Sequence, residues 1–495
     1  MRAFNFRDLV RHGLIYGVGG IAQSALGFIL LPILTARMSE SEFGVYSLVL
    51  MAATIAGAIF YLGMTSAMPR SYFDSNEEIK RKSIFTTAFL ILLMGAIGQI
   101  LIGCHFGPFI AKLILKSSGD KYVLAIEWAF FGSALTFVNQ YFFSYLRLKR
   151  YSIASVFLSI GGLVSGVLLT IYFLNVDSEI LVSPFKAIAY SQILIASIIL
   201  LLYGREMFIW RIAFEECKPL IHFGLPTVLT SFGVMALDWA DRIIIERYMS
   251  FADVGLYSAA IRVSGLMGVL LITPFTQIWS PMMFEYQKNR NIKEITSKVL
   301  SYFLILGGIL LAFISPFSVE ILHFLIKYEI TQTLIFTFLT LALASLINGT
   351  ANIVVAGIFY ERKVYFMPLI YSSIAAIKIA LNIFLIPIFG IGAAAFSALI
   401  ASILIPCTIY YFAKRFFSFK IEWNKLLRLL FIILIIILSI LYQPQDRSVN
   451  NYLTQIFSSL AIFLAIYIFC LSATEKKYLE NIFIRLKYAV KKGIK

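Results

Sequence analysis

The chain contains a succession of apolar runs, each long enough to cross a lipid bilayer as a helix. A spanning helix needs about 20 predominantly apolar residues. Backbone groups in lipid have no water to bond, so only helices and closed barrels can cross, and the alternating pattern of a membrane barrel is absent. The sequence therefore predicts an all-α integral membrane protein with about 14 transmembrane helices. The predicted spans are residues 13–34, 45–67, 84–110, 122–146, 152–174, 184–204, 220–240, 255–281, 299–319, 332–359, 364–388, 390–413, 426–442 and 452–473.

Composition excludes the other broad classes of protein. Of the 495 residues, 60% are hydrophobic and 14% are charged, whereas globular domains average about 45–50% and about 25%. Water-soluble packing cannot hide so much apolar surface. A soluble enzyme, a secreted disulfide scaffold and a disordered chain are therefore excluded.

The distribution of basic residues predicts the orientation of the chain in the membrane. With both termini on the cytoplasmic side, 31 of the 42 Lys and Arg residues fall on that side and nine on the other. This asymmetry is the positive-inside pattern, and it predicts a multi-pass protein of the cell inner (cytoplasmic) membrane. The net charge of +16 then reflects topology and attraction to anionic membrane lipid. No nucleic-acid partner is expected.

No motif for a metal, a disulfide or a nucleotide occurs in the sequence. The four cysteines are far apart and do not cluster with the four histidines, so neither a metal site nor a disulfide framework is indicated. No phosphate-binding loop appears, and we expect no cofactor. The tail beyond Ser472 and the segment 205–218 both have the pattern of an amphipathic helix on the membrane surface.

A ten-residue pattern occurs twice. Residues 38–47 read MSESEFGVYS and residues 249–258 read MSFADVGLYS, with five identities and Glu42 facing Asp253. Six predicted spans separate the copies, an even number, so both units have the same orientation in the membrane. Parallel repeats with a substrate site between them are a known transporter plan. The sequence predicts an N-terminal six-helix lobe (1–210), a C-terminal six-helix lobe (211–420) and an appended part (421–495) with helices 13–14 and the basic tail.

Four stretches resemble the Wzx-type polysaccharide flippases of the multidrug/oligosaccharidyl-lipid/polysaccharide (MOP) exporter superfamily. They read GLIYGVGGIAQSALGFILLPILTARMSESEFGVYSL, then LGMTSAMPR, FGLPTVLTSFGVMALDWADRIIIERYMSFADVGLYSAAIR and GIGAAAFSALIAS. The resemblance covers roughly residues 10–415, and its diffuse motifs identify the superfamily better than the subfamily.

The resemblance implies two six-helix lobes around a central cavity that opens alternately to each leaflet. It implies a cargo, an undecaprenyl-pyrophosphate-linked oligosaccharide such as an O-antigen unit of lipopolysaccharide biosynthesis, and no covalent chemistry. It also implies partners in the same pathway, a polysaccharide polymerase and a chain-length regulator. Alternatives on this scaffold are a lipid II-type flippase and a drug/cation antiporter. A membrane glycosyltransferase or polymerase is less favoured, because the predicted outer connectors have only about a dozen residues.

Two basic residues fall inside predicted spans. Arg262 lies about eight residues into span eight, roughly 12 Å deep, and Lys378 lies near the middle of span eleven. A charge in the membrane interior is costly and needs a reason. Cavity cations can replace the lost hydration of a pyrophosphate headgroup. We expect both residues to bind substrate, against the alternative of intramembrane ion pairs.

Other polar residues in the spans have open interpretations. Asn348 and Asn352, four residues apart in span ten, suit either sugar binding or contacts between helices. Glu127 in span four suits either ion coupling or a counter-ion for Lys378 or Arg262. Arg37 and Arg70 end the first two spans on opposite sides, where the family tends to be basic, and anchoring explains them equally well.

The segment DWADR places three charged residues at the end of span seven. Asp238 and Asp241 share a helix face, and Arg242 lies four residues after Asp238, so a local ion pair is feasible. Because span seven is predicted to end at residue 240, these residues are expected near the outer interface. An interfacial salt bridge is favoured there over a coupling site.

Overall fold

The computed structural model describes residues 19–20, 27–74, 77–209, 212–285, 291–361, 363, 365–420 and 422. Every regular element within these ranges is helical, which confirms the predicted fold class. A π-helix, Gly268–Ile272, lies between the α-helices Phe251–Ser264 and Thr273–Glu285. The helices are α1 (27–35), α2 (Glu40–Phe60), α3 (Met64–Asp74), α4 (Glu78–Leu115), α5 (Asp120–Leu148), α6 (Ser152–Val176), α7 (Ser183–Met207), α8 (Phe214–Tyr248), α9 (Phe251–Ser264), α10 (Thr273–Glu285), α11 (Ile292–Ile314), α12 (Ser318–Leu325), α13 (Gln332–Gly349), α14 (Ala351–Val354), α15 (Ala356–Tyr360), α16 (Phe366–Phe389) and α17 (Ile391–Ala413).

Eleven helices of the described ranges are long and apolar enough to cross a membrane. They coincide with the predicted spans two to twelve. Only residues 19–20 and 27–34 of the first span are described, whereas spans thirteen and fourteen and the basic tail lie outside the described residues. The count of fourteen spans stays a prediction.

Several helices extend beyond the predicted apolar runs. The third span runs over Glu78–Leu115, 38 residues, where the apolar run predicted only 84–110. Hydropathy marks the part of a helix that lies in lipid, but its charged end turns continue into the headgroup region. The prediction of a surface helix over residues 205–218 is wrong. α7 ends at Met207 and α8 begins at Phe214, so the ends of this segment belong to two spanning helices.

The two copies of the repeat have the same local structure. Each begins a helix with a capping box, in which Ser39 caps α2 and Ser250 caps α9. The serine hydroxyl accepts a hydrogen bond from the backbone N–H of Glu42 or Asp253, at 3.2 Å in both copies. The carboxylate in turn accepts from the serine N–H, at 2.9 Å and 3.2 Å. The Ser-x-x-acid pattern produces this reciprocal cap because it satisfies two orphan donors of the first turn.

The spanning helices pack in two groups. Helices α2, α3, α4, α5, α6 and α7 contact one another and form the first group, whereas α8, α9, α13, α16 and α17 form the second. Contacts between α2 and α9 and between α3 and α8 join the groups.

Two glycines bring the repeat copies into backbone contact. A Cβ atom on Gly44 of α2 would lie 1.9 Å from the carbonyl oxygen of Phe251, and one on Gly255 of α9 would lie 2.0 Å from that of Glu40. Only glycine allows so close an approach. Farther along, the hydroxyls of Ser47 and Ser258 hydrogen bond at 2.8 Å. We call the end of the bundle where α2 and α9 begin the Ser39 end.

A second glycine contact joins the groups near the opposite end, which we call the Arg70 end. Gly63 follows α2 with a positive φ of 64°. A Cβ there would lie 2.4 Å from the carbonyl oxygen of Gly224 in α8, and a Cβ on Gly224 would lie 2.1 Å from that of Leu62. The two groups are therefore closed on each other near both ends.

Substituting alanine at Gly44 or Gly255 is expected to separate the groups at the Ser39 end, because the new Cβ meets main-chain atoms that cannot rotate away. Spin labels at Ser41→Cys and Arg247→Cys, in a chain without native cysteines, measure this separation. We expect a shift to longer distances in Gly44→Ala and Gly255→Ala. Gly204→Ala is the control, because nothing lies within 4 Å of its Cβ. Unchanged distances in both test variants would contradict the packing described.

Candidate functional site

The second half of α8 carries a buried carboxylate, Asp241, that accepts hydrogen bonds from three other side chains. The side chain of Asp241 is 2% exposed and accepts three hydrogen bonds. Lys378 Nζ of α16 donates to Oδ2 at 2.7 Å, the Tyr257 hydroxyl of α9 donates to the same oxygen at 2.6 Å, and Asn382 Nδ2 donates to Oδ1 at 2.6 Å. A buried charge is tolerated only when it is paired and hydrogen-bonded.

The ammonium of Lys378 is buried in the same cluster. Its side chain is 6% exposed and also donates to the main-chain carbonyl oxygen of Leu237. Ser397 of α17 donates to the amide oxygen of Asn382. The cluster thereby links α8, α9, α16 and α17, the helices that form the core of the second group.

Arg242, the next residue along α8, makes a second set of polar contacts that reaches the first group. Its Nε donates to the Ser258 hydroxyl at 3.1 Å, and Ser258 bonds to Ser47 of α2. The guanidinium carbon lies 4.3 Å from the ring centroid of Trp239, and Nη1 donates to the main-chain carbonyl of Asp238 at 2.8 Å. These contacts connect Arg242 to α2, and Arg242 follows Asp241 of the Lys378 cluster directly in the sequence.

The DWADR segment lies inside α8, because α8 continues to Tyr248, beyond residue 240 where span seven was predicted to end. Asp241 lies seven residues before that end, roughly 10 Å along the helix, and both Asp241 and Arg242 are buried. The acid pairs with Lys378, which is 137 residues away in the sequence. Arg242 bonds to the backbone of Asp238 through one of its donors.

A cavity of about 550 Å³ lies beside this network in the second group. Pockets that bind small molecules have about 300–1,000 Å³. Its wall includes two acids, Asp238 and Asp241, and two bases, Arg242 and Lys378, so its formal charges balance. Serine, tyrosine and asparagine side chains complete the polar part, namely Ser264, Ser345, Ser402, Tyr257, Tyr371 and Asn348. The cavity wall is therefore polar without an excess of cations, and of the two basic residues expected to bind substrate only Lys378 lines it.

Arg262 lies at the interface of the two groups and not on the wall of this cavity. Its guanidinium carbon is 5.4 Å from the ring centroids of both Phe43 and Tyr46 of α2. Cations within about 6 Å of an aromatic ring face are attracted to it. The rings are fully buried, whereas Arg262 is half-buried.

The remaining residues that were predicted to belong to the site lie in separate places. Asn348 is exposed on the cavity wall, whereas Asn352 donates to the carbonyl of Gly349 at 3.1 Å, beyond the end of α13. Glu127 is half-buried in α5, beside Gly107 of α4. The counter-ion of Lys378 is Asp241.

Sequence reasoning missed three members of the network, Tyr257, Asn382 and Ser397. Asn382 follows Lys378 by four residues, a spacing that places both on one helix face, so span eleven contained a signal that was available. Tyr257 lies in the repeat, but its partner Asp241 follows only from the packing of α9 against α8.

Comparison with protein families identifies the chain. Residues 9–287 match the family model described as "Polysaccharide biosynthesis protein", which is more than half of the sequence. The chain belongs to this family. A relative in Haemophilus influenzae, an "Uncharacterized membrane protein", is 21% identical over 291 residues, 58% of this chain and 68% of that protein.

The fold of this polysaccharide biosynthesis protein is that of the MOP superfamily transporters. The lipid II flippase MurJ in its inward closed conformation superposes with a TM-score of 0.72 at 15% identity, covering 91% of this chain and 97% of MurJ. An inward-facing multidrug transporter of the MATE family gives 0.64 at 13% identity, covering 80% of this chain and 93% of that one. The likeness establishes a multi-pass membrane protein with a transporter fold.

The ion pair between Asp241 and Lys378 predicts strong coupling between the two positions. Removing one partner of a buried pair leaves an uncompensated charge, at a cost of about 3–5 kcal/mol. We expect Lys378→Met and Asp241→Asn each to lower the thermal stability of the purified protein in detergent. The double variant should lose less than the sum of the two, because no lone charge remains. A double-mutant cycle measures the coupling, and additive effects would contradict the pairing.

Proposed function

We propose that this protein is a flippase that moves an undecaprenyl-pyrophosphate-linked oligosaccharide repeat unit, such as an O-antigen unit, from the inner to the outer leaflet of the cytoplasmic membrane. The proposal combines family membership with one structural observation. The two helix groups meet through glycine backbone contacts near both ends, and polar side chains lie between these two contacts. One helix of each group, α2 and α9, begins with the same capping box. Opening one contact at a time gives alternating access without covalent chemistry.

The proposal assigns the Ser39 end to the outer face and the Arg70 end to the cytoplasm, with both chain termini cytoplasmic. This follows the positive-inside distribution of Lys and Arg. The moving parts are the lobes 1–210 and 211–420, and the part after residue 420 is accessory. The polymerase and chain-length regulator of the same pathway are the proposed partners.

Arg262 is the residue that we assign to direct contact with the pyrophosphate. It is half-buried between the helix groups, and its contacts with Phe43 and Tyr46 leave the donors at the edge of the guanidinium available. Asn348, exposed on the cavity wall, is proposed to bind sugar hydroxyls, with Asn352 one turn beyond it. Lys378 acts on the substrate through its pair with Asp241, because that pair fixes the cavity wall formed by α8 and α16.

Removing Arg262 is expected to slow flipping. Hydrogen bonds to charged groups contribute about 1.5–3 kcal/mol, which predicts a rate roughly 10–150-fold lower for Arg262→Ala. Everted vesicles measure the rate, with an impermeant glycan-binding probe reporting leaflet exposure of the lipid-linked sugar. Arg415→Ala is the matched control, since Arg415 also lies over aromatic rings, at 5.7 Å and 5.9 Å. Equal exposure with and without the wild-type protein would exclude the flippase.

Asp238 is the proposed site of ion coupling. Its side chain is exposed on the cavity wall, whereas Asp241 is sealed in its ion pair and Glu127 lies in the other helix group. The ionisable groups around the same cavity are Asp241, Arg242, Tyr257, Tyr371 and Lys378.

If a proton moves through Asp238, Asp238→Asn should abolish the acceleration of flipping by a pH gradient across the vesicle membrane, while flipping without a gradient remains. Asp177→Asn is the control, because Asp177 pairs with Lys186 in the first helix group and does not line the cavity. A gradient response equal to that of the wild type would exclude Asp238 as the coupling group.

A lipid II flippase is the second candidate, and the likeness to MurJ over 91% of the chain favours it. The vesicle assay separates the two when lipid II replaces the oligosaccharide-linked substrate. A drug antiporter predicts efflux that depends on Glu127 and not on Arg262. Drug efflux lost in Glu127→Gln, with sugar transport intact in Arg262→Ala, would support that function.

A further inference from the structure

A second cavity, of about 940 Å³, lies between the two helix groups at the Arg70 end. The first group contributes Arg70 and Ser71 of α3. The second contributes the start of α16 and the first turns of α8. The lining residues from the second group are Pro219, His222, Phe223, Pro226, Thr227, Tyr365, Met367 and Pro368. This cavity shares no residue with the network around Asp241.

The cavity lies at the depth of the lipid headgroups. Arg70 follows Glu40, at the Ser39 end, by thirty residues, which span at most about 45 Å as helix. His222 precedes Tyr248, at the same end, by 26 residues, or about 39 Å. A bilayer with its headgroups is about 40–45 Å thick. With the Ser39 end placed at the headgroups of the opposite leaflet, these lengths put Arg70 and His222 beside the phosphates of the leaflet at the Arg70 end.

The polar part of the wall suits an anion. The guanidinium carbon of Arg70 lies 4.4 Å from the ring centroid of Phe223, so the ring supports one face while the N–H edges remain available for bidentate contact with phosphate. His222 and the hydroxyls of Ser71, Thr227 and Tyr365 add further polar groups. None of the ten lining residues is acidic. Glu216, one turn before Pro219, pairs with Lys80 at 3.6 Å.

The rest of the wall is apolar. Phe223, Met367 and three prolines supply hydrocarbon surface next to the cationic group. An anion with an attached apolar chain matches such a wall better than a free ion, because the chain can contact the hydrocarbon surface while the anion contacts Arg70.

We propose that this cavity binds the pyrophosphate headgroup of a polyprenyl-linked substrate, with Arg70 as its principal ligand and His222 as a second contact. The proposal rests on the proposed function and names the site where the cargo is first held. The binding site is distinct from Arg262 and from the cavity beside Asp241.

The cavity also borders the contact that closes the Arg70 end. Thr227, on its wall, donates to the carbonyl of Gly224 at 2.6 Å, and a Cβ on Gly63 would lie 2.2 Å from the Thr227 hydroxyl oxygen. A headgroup that touches Arg70 and His222 therefore contacts both helix groups, immediately beside the place where they must part.

Binding of farnesyl pyrophosphate to the full-length protein in detergent tests the proposal. We expect Arg70→Ala to weaken binding roughly 10–150-fold, the effect of losing charged hydrogen bonds. Arg70→Lys should fall between Arg70→Ala and the wild type, because lysine keeps the charge but not the fork. Arg37→Ala is the matched control. Arg37 is the basic residue after α1 at the opposite end and bonds to Asn175 at 2.8 Å, and its loss should leave the affinity unchanged.

Two further ligands identify what the cavity recognises. Farnesol should bind with no dependence on Arg70, and inorganic pyrophosphate should bind more weakly than farnesyl pyrophosphate while still depending on Arg70. Inorganic pyrophosphate that binds as tightly as the lipid would overturn the lipid assignment. Equal affinity of Arg70→Ala and the wild type for farnesyl pyrophosphate would overturn the site.

Protection from a thiol reagent gives a readout that does not depend on removing Arg70. Tyr365→Cys, in a chain without native cysteines, should be labelled by a maleimide and protected by farnesyl pyrophosphate. Absence of protection at saturating ligand would overturn the location. Binding that depends on Arg70 without flipping in vesicles would refute the proposed function alone, whereas flipping with equal affinity in Arg70→Ala would refute only this inference.

Discussion

The architecture depends on how closely two backbones approach at Gly44 and Gly255. In lipid, apolar side chains gain little by leaving the solvent for a neighbouring helix, so helix contacts rely on close packing through small residues. Here the main chains of α2 and α9 meet with no space for a Cβ on either side. The contact comes from the repeated motif itself, whose serine caps fix where both helices begin. Gly63 and Gly224 make a similar approach near the other end.

The buried network follows from the cost of placing charge in an apolar interior. Asp241 and Lys378 are nearly inaccessible, and each is tolerated because the other neutralises it and because amide, hydroxyl and carbonyl groups complete the hydrogen bonding. Arg242 uses two of its donors on Ser258 and the backbone of Asp238. The cluster around Asp241 thus joins four helices of the second group, whereas the contacts of Arg242 reach α2 through Ser258 and Ser47. Two neighbouring residues of α8 therefore serve the cavity wall and the interface that the proposed transport cycle opens.

Arg242, Arg262 and Arg70 have different surroundings in the structure. Arg242 is buried and bonded, Arg262 lies against two rings between the helix groups, and Arg70 lies against one ring at the level of the headgroups. Aromatic support holds a guanidinium in place without neutralising it, so Arg262 and Arg70 keep their charge for an anionic ligand. The cavity beside Asp241, whose charges balance, suits a sugar better than a phosphate.

The sequence by itself determined the helical membrane fold, the positions of spans two to twelve and the repeat, because hydropathy, charge asymmetry and local capping act over short stretches of chain. It also located Asp241, Lys378 and Arg262 as costly charges within or near the spans. It did not determine their partners. Asp241 is close to Arg242 in sequence yet bonds to Lys378, since the length of α8 and its packing against α16 decide which groups meet. Only the tertiary structure decided this, and with it the cavity at Arg70, because contacts between residues more than a hundred positions apart leave no periodic signal in the chain.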